Sequence, residues 1–345
     1  MKMNFLGHTG ISVSRICLGS MTFGNQNNEA EGHAQLDMAF EHGVNFIDTA
    51  EMYPVPRDPE TQGKTEEIIG SWIKKRRNRE QLVLATKITG PSSAFSHIRN
   101  GDLKFGKKQF EEAVNLSLRR LQTDYIDLYQ THWPERPGSY FGQLEYKHID
   151  GSLGTSMEEQ LEAVNMLIEV GKVRAFGSSN ETPWGQMKLI ECAARLGVCS
   201  IASIQNPYNL LNRAFEVGHA EISIRENCGL LAYSPLGFGT LTGKYLEGKP
   251  PKSRLALFPE FKRYTSARSV SATARYVDLA LRNGLDPAQM AIAFVSRRRF
   301  TTSAIIGATT LQQLKKNLDS EYIELTDEVS EGIAKIHSEF PNPAP

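Results

Sequence analysis

With 345 residues, 40% of them hydrophobic, the chain can bury an extensive core, which excludes a disordered or collagen-like class. Lys and Arg total 39, as do Asp and Glu, so the net charge is zero and no nucleic-acid partner is expected. No stretch approaches the about 20 apolar residues that span a bilayer, and the first residues lack a signal-peptide pattern. Cys17, Cys192, Cys199 and Cys228 stand apart without a CxxC pair. The expectation is a cytoplasmic chain with reduced thiols, no membrane partner and no metal site.

The first element in chain order is a small hairpin over 4–14, with His8-Thr9-Gly10 at its turn. After it, short apolar runs alternate with amphipathic segments. The runs cover 16–21, 45–50, 82–87, 125–132, 173–180, 201–206, 230–235 and 303–308. Between the third and fourth, Phe110, Ala113, Val114, Ser117, Leu118 and Leu121 trace one helical face on which Ser117 is the sole polar member. Segments 158–172 and 182–196 repeat that pattern. Thr65-Glu66-Glu67 and Ser156-Met157-Glu158-Glu159 read as helix starts, and Gly43, Gly171, Gly197, Gly229 and Gly284 as C-terminal caps.

Strands separated by helices pair in parallel, because parallel neighbours need a crossover. A doubly wound open sheet is one solution. The regular repetition favours an α/β architecture of the (β/α)8 TIM barrel type, one domain over 1–345, with the N-terminal hairpin capping its bottom and a helical extension at the C-terminus.

Several runs end on a residue with chemistry: Asp48, Lys87, His132, Ser179-Asn180, Gln205-Asn206 and Tyr233-Ser234. Taken singly, each has a plain structural explanation as a cap or an exposed terminus. In a (β/α)8 barrel, however, the C-terminal strand ends share one mouth, where active sites are built. Gly237-Phe238-Gly239 is a poor dinucleotide fingerprint, since the next glycine, Gly243, falls one position late.

The segment Asp48-Thr49-Ala50-Glu51-Met52-Tyr53 resembles the D-T-A-x-x-Y signature of the aldo-keto reductase superfamily. Leu18-Gly19-Ser20-Met21-Thr22-Phe23-Gly24 and the stretches 124–132 and 171–180 follow the family pattern in order. The likeness runs from the hairpin to Asn317, and residues 54–63 and 204–213 are similar to the long-chain branch related to potassium-channel beta subunits.

The resemblance implies NADPH-dependent reduction of aldehyde or ketone carbonyls, with Asp48, Tyr53, Lys87 and His132 as catalytic tetrad. Tyr53 would be the general acid. A nearby Lys87 would lower its phenol from the usual value near about 10 towards the working pH. Asp48 would hold Lys87, and a neutral His132 would orient the carbonyl. For NADPH, preferred over NADH, the resemblance implies Ser179, Asn180 and Gln205 at the carboxamide and Tyr233 on the nicotinamide. Ser234, Pro235, Leu236, Gly237 and Gly239 would wrap the pyrophosphate, with Lys244 and Arg254 as covering cations. Gly307, Thr309, Gln313 and Asn317 would sit near the adenosine 2′-phosphate. The chain departs from the family there: Gly307-Ala308 and Gln313 stand where many relatives have Lys-Ser and Arg, and Lys316 replaces a glutamate.

Met21, Phe23, Tyr53, Trp133 and the loop 134–155, with Tyr140, Phe141 and Tyr146, are the expected substrate pocket, suited to a small carbonyl substrate with apolar groups. The other function the resemblance allows is an NADPH-binding redox-sensing or regulatory subunit with slow turnover. Neither a heptad seam nor a distinctive interface helix sets an oligomeric state.

Overall fold

The computed structural model describes residues 1–151 and 154–345; Ser152 and Leu153, in the loop expected to line the pocket, lie outside the described residues. An antiparallel hairpin opens the chain, β1 (Met3–Phe5) with β2 (Ser12–Ser14). Eight strands then alternate with helices: β3 (Ile16–Gly19), α1 (Glu29–Glu41), β4 (Phe46–Asp48), α2 (Lys64–Arg76), β5 (Val83–Ile88), α3 (Lys107–Leu121), β6 (Ile126–Thr131), α4 (Met157–Glu169), β7 (Val173–Ser179), α5 (Pro183–Leu196) and β8 (Ile201–Pro207) lead the series. The short α6 (Phe215–Gly218) and α7 (Ala220–Arg225) precede β9 (Gly229–Tyr233). Helices α8 (Arg254–Leu257), α9 (Ala267–Arg282) and α10 (Pro287–Ser296) separate it from β10 (Thr301–Ile306), and α11 (Leu311–Asp319) and α12 (Asp327–Glu339) finish the chain. The strands close in the order β10-β3-β4-β5-β6-β7-β8-β9, every pair parallel. This is the expected (β/α)8 barrel.

Side-chain alternation sorts each strand between the barrel interior and the helical layer. Cys17, Phe46, Val83, Ala85, Leu128, Ala175, Ala202, Leu231 and Ile305 form one buried cluster inside the barrel. Leu6, Ile11 and Val13 of the hairpin close that cluster from below, so the hairpin caps the bottom as expected. The residues two further along the same faces are Asp48, Lys87, Gln130 and Tyr233, which make the upper layer polar.

Helix caps agree with the sequence in most places. Ser156 accepts the Glu159 N–H at the start of α4, and Gly171, Gly197 and Gly284 take positive φ after α4, α5 and α9. One expectation fails. Gly229 is the first residue of β9 and has no positive φ; a Cβ there would strike the Thr302 side chain, and Asn227 makes the left-handed turn instead. Helix α2 starts at Lys64 after Gly63, with Glu66 and Glu67 in its first turn as expected; the Thr65 hydroxyl donates to the Phe23 carbonyl at 2.7 Å, while Glu66 is fully buried and pairs with Arg120 at 2.6 Å. Helix α12, the expected extension, packs on α9, with Arg275 paired to Glu339 at 2.9 Å. Among the described residues no helix is long and apolar enough to cross a membrane.

Candidate active site

Strand register brings the upper layer together. Asp48 is level with Gly19 of β3 and Ala85 of β5, Lys87 with Gln130, and Ser179 with Gln205. Lys87 has a fully buried side chain, and its Nζ donates to Asp48 Oδ2 at 2.6 Å and to the Thr49 carbonyl at 2.7 Å. Its ammonium also lies 5.1 Å from the centre of the Tyr53 ring. Tyr53 meets the His132 ring edge-to-face at 5.7 Å. All four expected catalytic residues therefore meet at one end of the barrel.

Three protonation states follow from this packing. Burial works against the Lys87 ammonium, yet Asp48, with help from Tyr53, raises its pKa above the ordinary lysine value. Burial and the neighbouring Lys87 charge push His132 well below the ordinary histidine value, which keeps the imidazole neutral as expected. Tyr53 reverses the expectation. Although part of its surface is exposed, burial of the phenol dominates and raises its pKa; the lowering pull of Lys87 is outweighed, with Asp48 adding to the rise.

Asp48 is held from its other side as well. Its Oδ1 accepts from Gln205 Nε2 at 2.8 Å and from Gln130 Nε2 at 3.4 Å, and Gln205 Nε2 lies 3.2 Å from Gln130 Oε1. Sequence reasoning missed Gln130, which sits inside an apolar run. The signal was present: Gln130 follows the interior Leu128 by two positions, so it shares the barrel face of the catalytic groups.

The other expected cofactor residues form a connected rim. Asn180, at φ 53°, donates from Nδ2 to the His132 carbonyl at 2.9 Å and receives the Tyr233 hydroxyl at 2.7 Å. Ser179 donates to the Gln205 carbonyl at 2.8 Å. Ser234, Gly237, Phe238 and Gly239 all have positive φ, coiling 234–239 tightly after β9, with the Gly237 N–H donating to the Ser234 carbonyl at 2.9 Å. Pro235 and Leu236 lie within that coil. A Cβ on Gly239 would meet Lys244 at 3.0 Å, so the ammonium lies against the coil.

Arg254 stacks 5.4 Å from the Phe238 ring centre, and its charge is felt by Tyr53 and Tyr245. Among the described residues neither Lys244 nor Arg254 has an ion-pair partner. Two uncompensated cations beside a glycine-bearing coil fit an anionic pyrophosphate. The adenosine end is more closed than expected. Thr310 caps α11 by accepting the Gln313 N–H, and Gln313 Oε1 accepts both the N–H and the hydroxyl of Thr309 at 3.0 and 3.1 Å. Asn317 Nδ2 donates to the Gly307 carbonyl at 3.2 Å.

On the substrate side, Met21 is partly exposed beside Val55, whose N–H its carbonyl accepts at 3.0 Å, and the Trp133 ring lies tilted against His132 at 5.0 Å. Phe141 meets Trp133 at 5.8 Å and Tyr140 meets Phe141 at 5.2 Å, so these two loop aromatics lie against the mouth. Tyr146 does not join them: it is exposed and bonds His148. Phe23 must be removed from the pocket, because it is fully buried and packs beneath α1, where a Cβ on Gly32 would meet its ring at 3.3 Å.

The sequence model of the aldo/keto reductase family matches residues 15–338. Protein tas of Escherichia coli (strain K12) is 49% identical over 346 residues, covering 100% of both chains. An aldo-keto reductase of Babesia bovis is 37% identical over 279 residues, which is 76% of this chain and 98% of that protein. A probable voltage-gated potassium channel subunit beta of Arabidopsis thaliana is 31% identical over 331 residues, 92% and 90% of the two chains. With a family match over nearly its whole length and a site assembled from that family's signature positions, the chain belongs to the aldo/keto reductase family of oxidoreductases.

Proposed function

We propose that this chain reduces aldehyde or ketone carbonyls to alcohols with NADPH, using Tyr53 as the proton donor. Members of the family generally use NAD(P)H. The observation that carries the reading is the cluster of Tyr53, Lys87, Asp48 and a neutral His132, gathered from strands β4 and β5 and from the loops that follow β4 and β6.

When bound, NADPH supplies the hydride. The protein has to hold the carbonyl, stabilise charge growing on its oxygen and deliver a proton there. A phenol with a raised pKa keeps its proton at neutral pH, and although a weaker acid than a free phenol it is still a stronger acid than the alcohol it forms by protonating the carbonyl oxygen. The adjacent Lys87 ammonium, kept charged by Asp48, stabilises the phenolate left behind. A neutral imidazole at His132 donates a hydrogen bond without adding a second cation beside Lys87. Ser179, Asn180 and Gln205 offer amide and hydroxyl groups for the carboxamide, and Tyr233 offers a ring face. Gly237, Gly239, Lys244 and Arg254 suit the pyrophosphate.

Preference for the 2′-phosphate would rest on Thr309, Gln313 and Lys316, whose Nζ is paired with Asp286 at 2.6 Å. Phosphate binding there requires Gln313 to release Thr309. The test is loss of NADPH absorbance with a panel of small aldehydes and ketones, repeated with NADH. Turnover with NADPH supports the reading. Tight NADPH binding without turnover favours the regulatory role, which draws on the likeness to the Arabidopsis channel subunit.

A further inference from the structure

The loop leaving Tyr53 carries a cation to which the mechanism above gives no task. We propose that the site selects carbonyl compounds with an apolar or aromatic body and a carboxylate at the end remote from the carbonyl, with Arg57 as the carboxylate receptor. This rests on the carbonyl-reductase reading and names its substrate class.

The path from acid to cation is a continuous wall of rings. Tyr53 contacts His132 at 5.7 Å, His132 contacts Trp133 at 5.0 Å, and Trp133 contacts Phe95 at 5.7 Å. The Arg57 guanidinium carbon lies 5.9 Å from the centre of the Phe95 ring, and the His97 ring flanks Phe95 at 6.2 Å. Beyond His132 the wall offers ring faces, with Trp133 Nε1 committed to the Pro91 carbonyl at 3.2 Å.

The spacing is constrained by the chain. Arg57 follows Tyr53 by four residues, so their Cα atoms are at most about 14 Å apart. Pro54 and Pro56 restrict φ in between, and the loop is pinned by Val55 N–H to the Met21 carbonyl at 3.0 Å and Gly63 N–H to the Tyr53 carbonyl at 2.9 Å. Among the described residues Arg57 has no ion-pair or hydrogen-bond partner, although Asp58 is its neighbour; the Asp58 carboxylate turns instead to the Glu60 N–H at 3.0 Å. A planar guanidinium on an aromatic face is weakly hydrated and matches a carboxylate with two parallel hydrogen bonds.

The experiment titrates 4-formylbenzoate and its methyl ester into the full chain by calorimetry with NADP+ present. Without a reductant no turnover occurs, so recognition is read independently of catalysis. The native protein should bind the acid about tenfold more tightly than the ester, the scale of one charge-assisted hydrogen bond. That ratio should collapse towards one in Arg57→Leu and recover in part in Arg57→Lys. A native ratio near one, or a ratio unchanged in Arg57→Leu, overturns the proposal. Failure of the native protein to reduce the ester with NADPH, with the binding ratio intact, counts against the reductase reading alone.

Discussion

Asp48→Asn removes one charge from an ion pair that water barely reaches. The Asp48 and Lys87 side chains are 3% and 0% exposed, with Nζ to Oδ2 at 2.6 Å. With an effective dielectric constant of about 20, charges this close attract by about 6 kcal/mol, an upper figure that burial of both groups erodes. Losing the carboxylate charge leaves the buried Lys87 ammonium with neutral acceptors alone, the Thr49 carbonyl at 2.7 Å and the asparagine amide oxygen, a change that typically costs about 3–5 kcal/mol. Urea unfolding at pH 7 should therefore show Asp48→Asn less stable by about that amount, and Lys87→Met similarly so. The double variant should lose clearly less than the sum of the two, because no stranded charge remains. Carbonyl reduction should be lost in all three. A loss below about 1 kcal/mol for Asp48→Asn, or strictly additive effects, would refute the buried-pair account.

Other consequences can be measured separately. His219 is buried, stacks on Phe215 at 4.7 Å, shares its Nδ1 with Gln186 at 2.9 Å, and has its pKa lowered by burial from 6.5 to about 4. The unfolded chain takes up that proton first, so the stabilisation is present above pH 6.5 and fades as pH falls towards 4, by about 3 kcal/mol at most. His132 acts in the same direction, and His219→Gln should give a shallower fall in urea stability from pH 7 to 4.5 than the native protein; an identical slope would exclude His219. Gly70→Ala should destabilise by about 1–3 kcal/mol on thermal or urea unfolding, because a Cβ there runs into the backbone of Arg120 and Leu121. Arg254→Ala should weaken NADPH binding about tenfold in a fluorescence titration, and an unchanged affinity would remove Arg254 from the cofactor site.

The barrel was legible because strands buried on both faces read as apolar runs, and several of those runs stopped at a polar group at the mouth. Asp48, Lys87 and His132 stood out as breaks in those runs, and Tyr53 through the signature it completes. Gln130 was hidden by its apolar neighbours, although alternation from Leu128 marks its face. Phe23 was misplaced because an aromatic residue in a loop carries no sign of direction: it turned under α1 rather than towards the mouth. Gly229 looked like a cap because nothing local reveals Thr302 from the neighbouring strand. The Tyr53 pKa depends on how closely the fold surrounds the phenol, and no sequence pattern records that competition between burial and Lys87. Before α11 the sequence marked Thr309 and Gln313 for the phosphate, but not the turn of Gln313 back onto Thr309.

The central claim is that Tyr53 gives its proton to the carbonyl oxygen. It is tested most directly by comparing the native protein with Tyr53→Phe in single-turnover NADPH oxidation, using an aldehyde the native protein reduces, with NADPH affinity measured in parallel. The account predicts a fall of about 10²- to 10⁴-fold in the rate with NADPH affinity retained. A rate within a few-fold of the native value, with the cofactor bound normally, would contradict it.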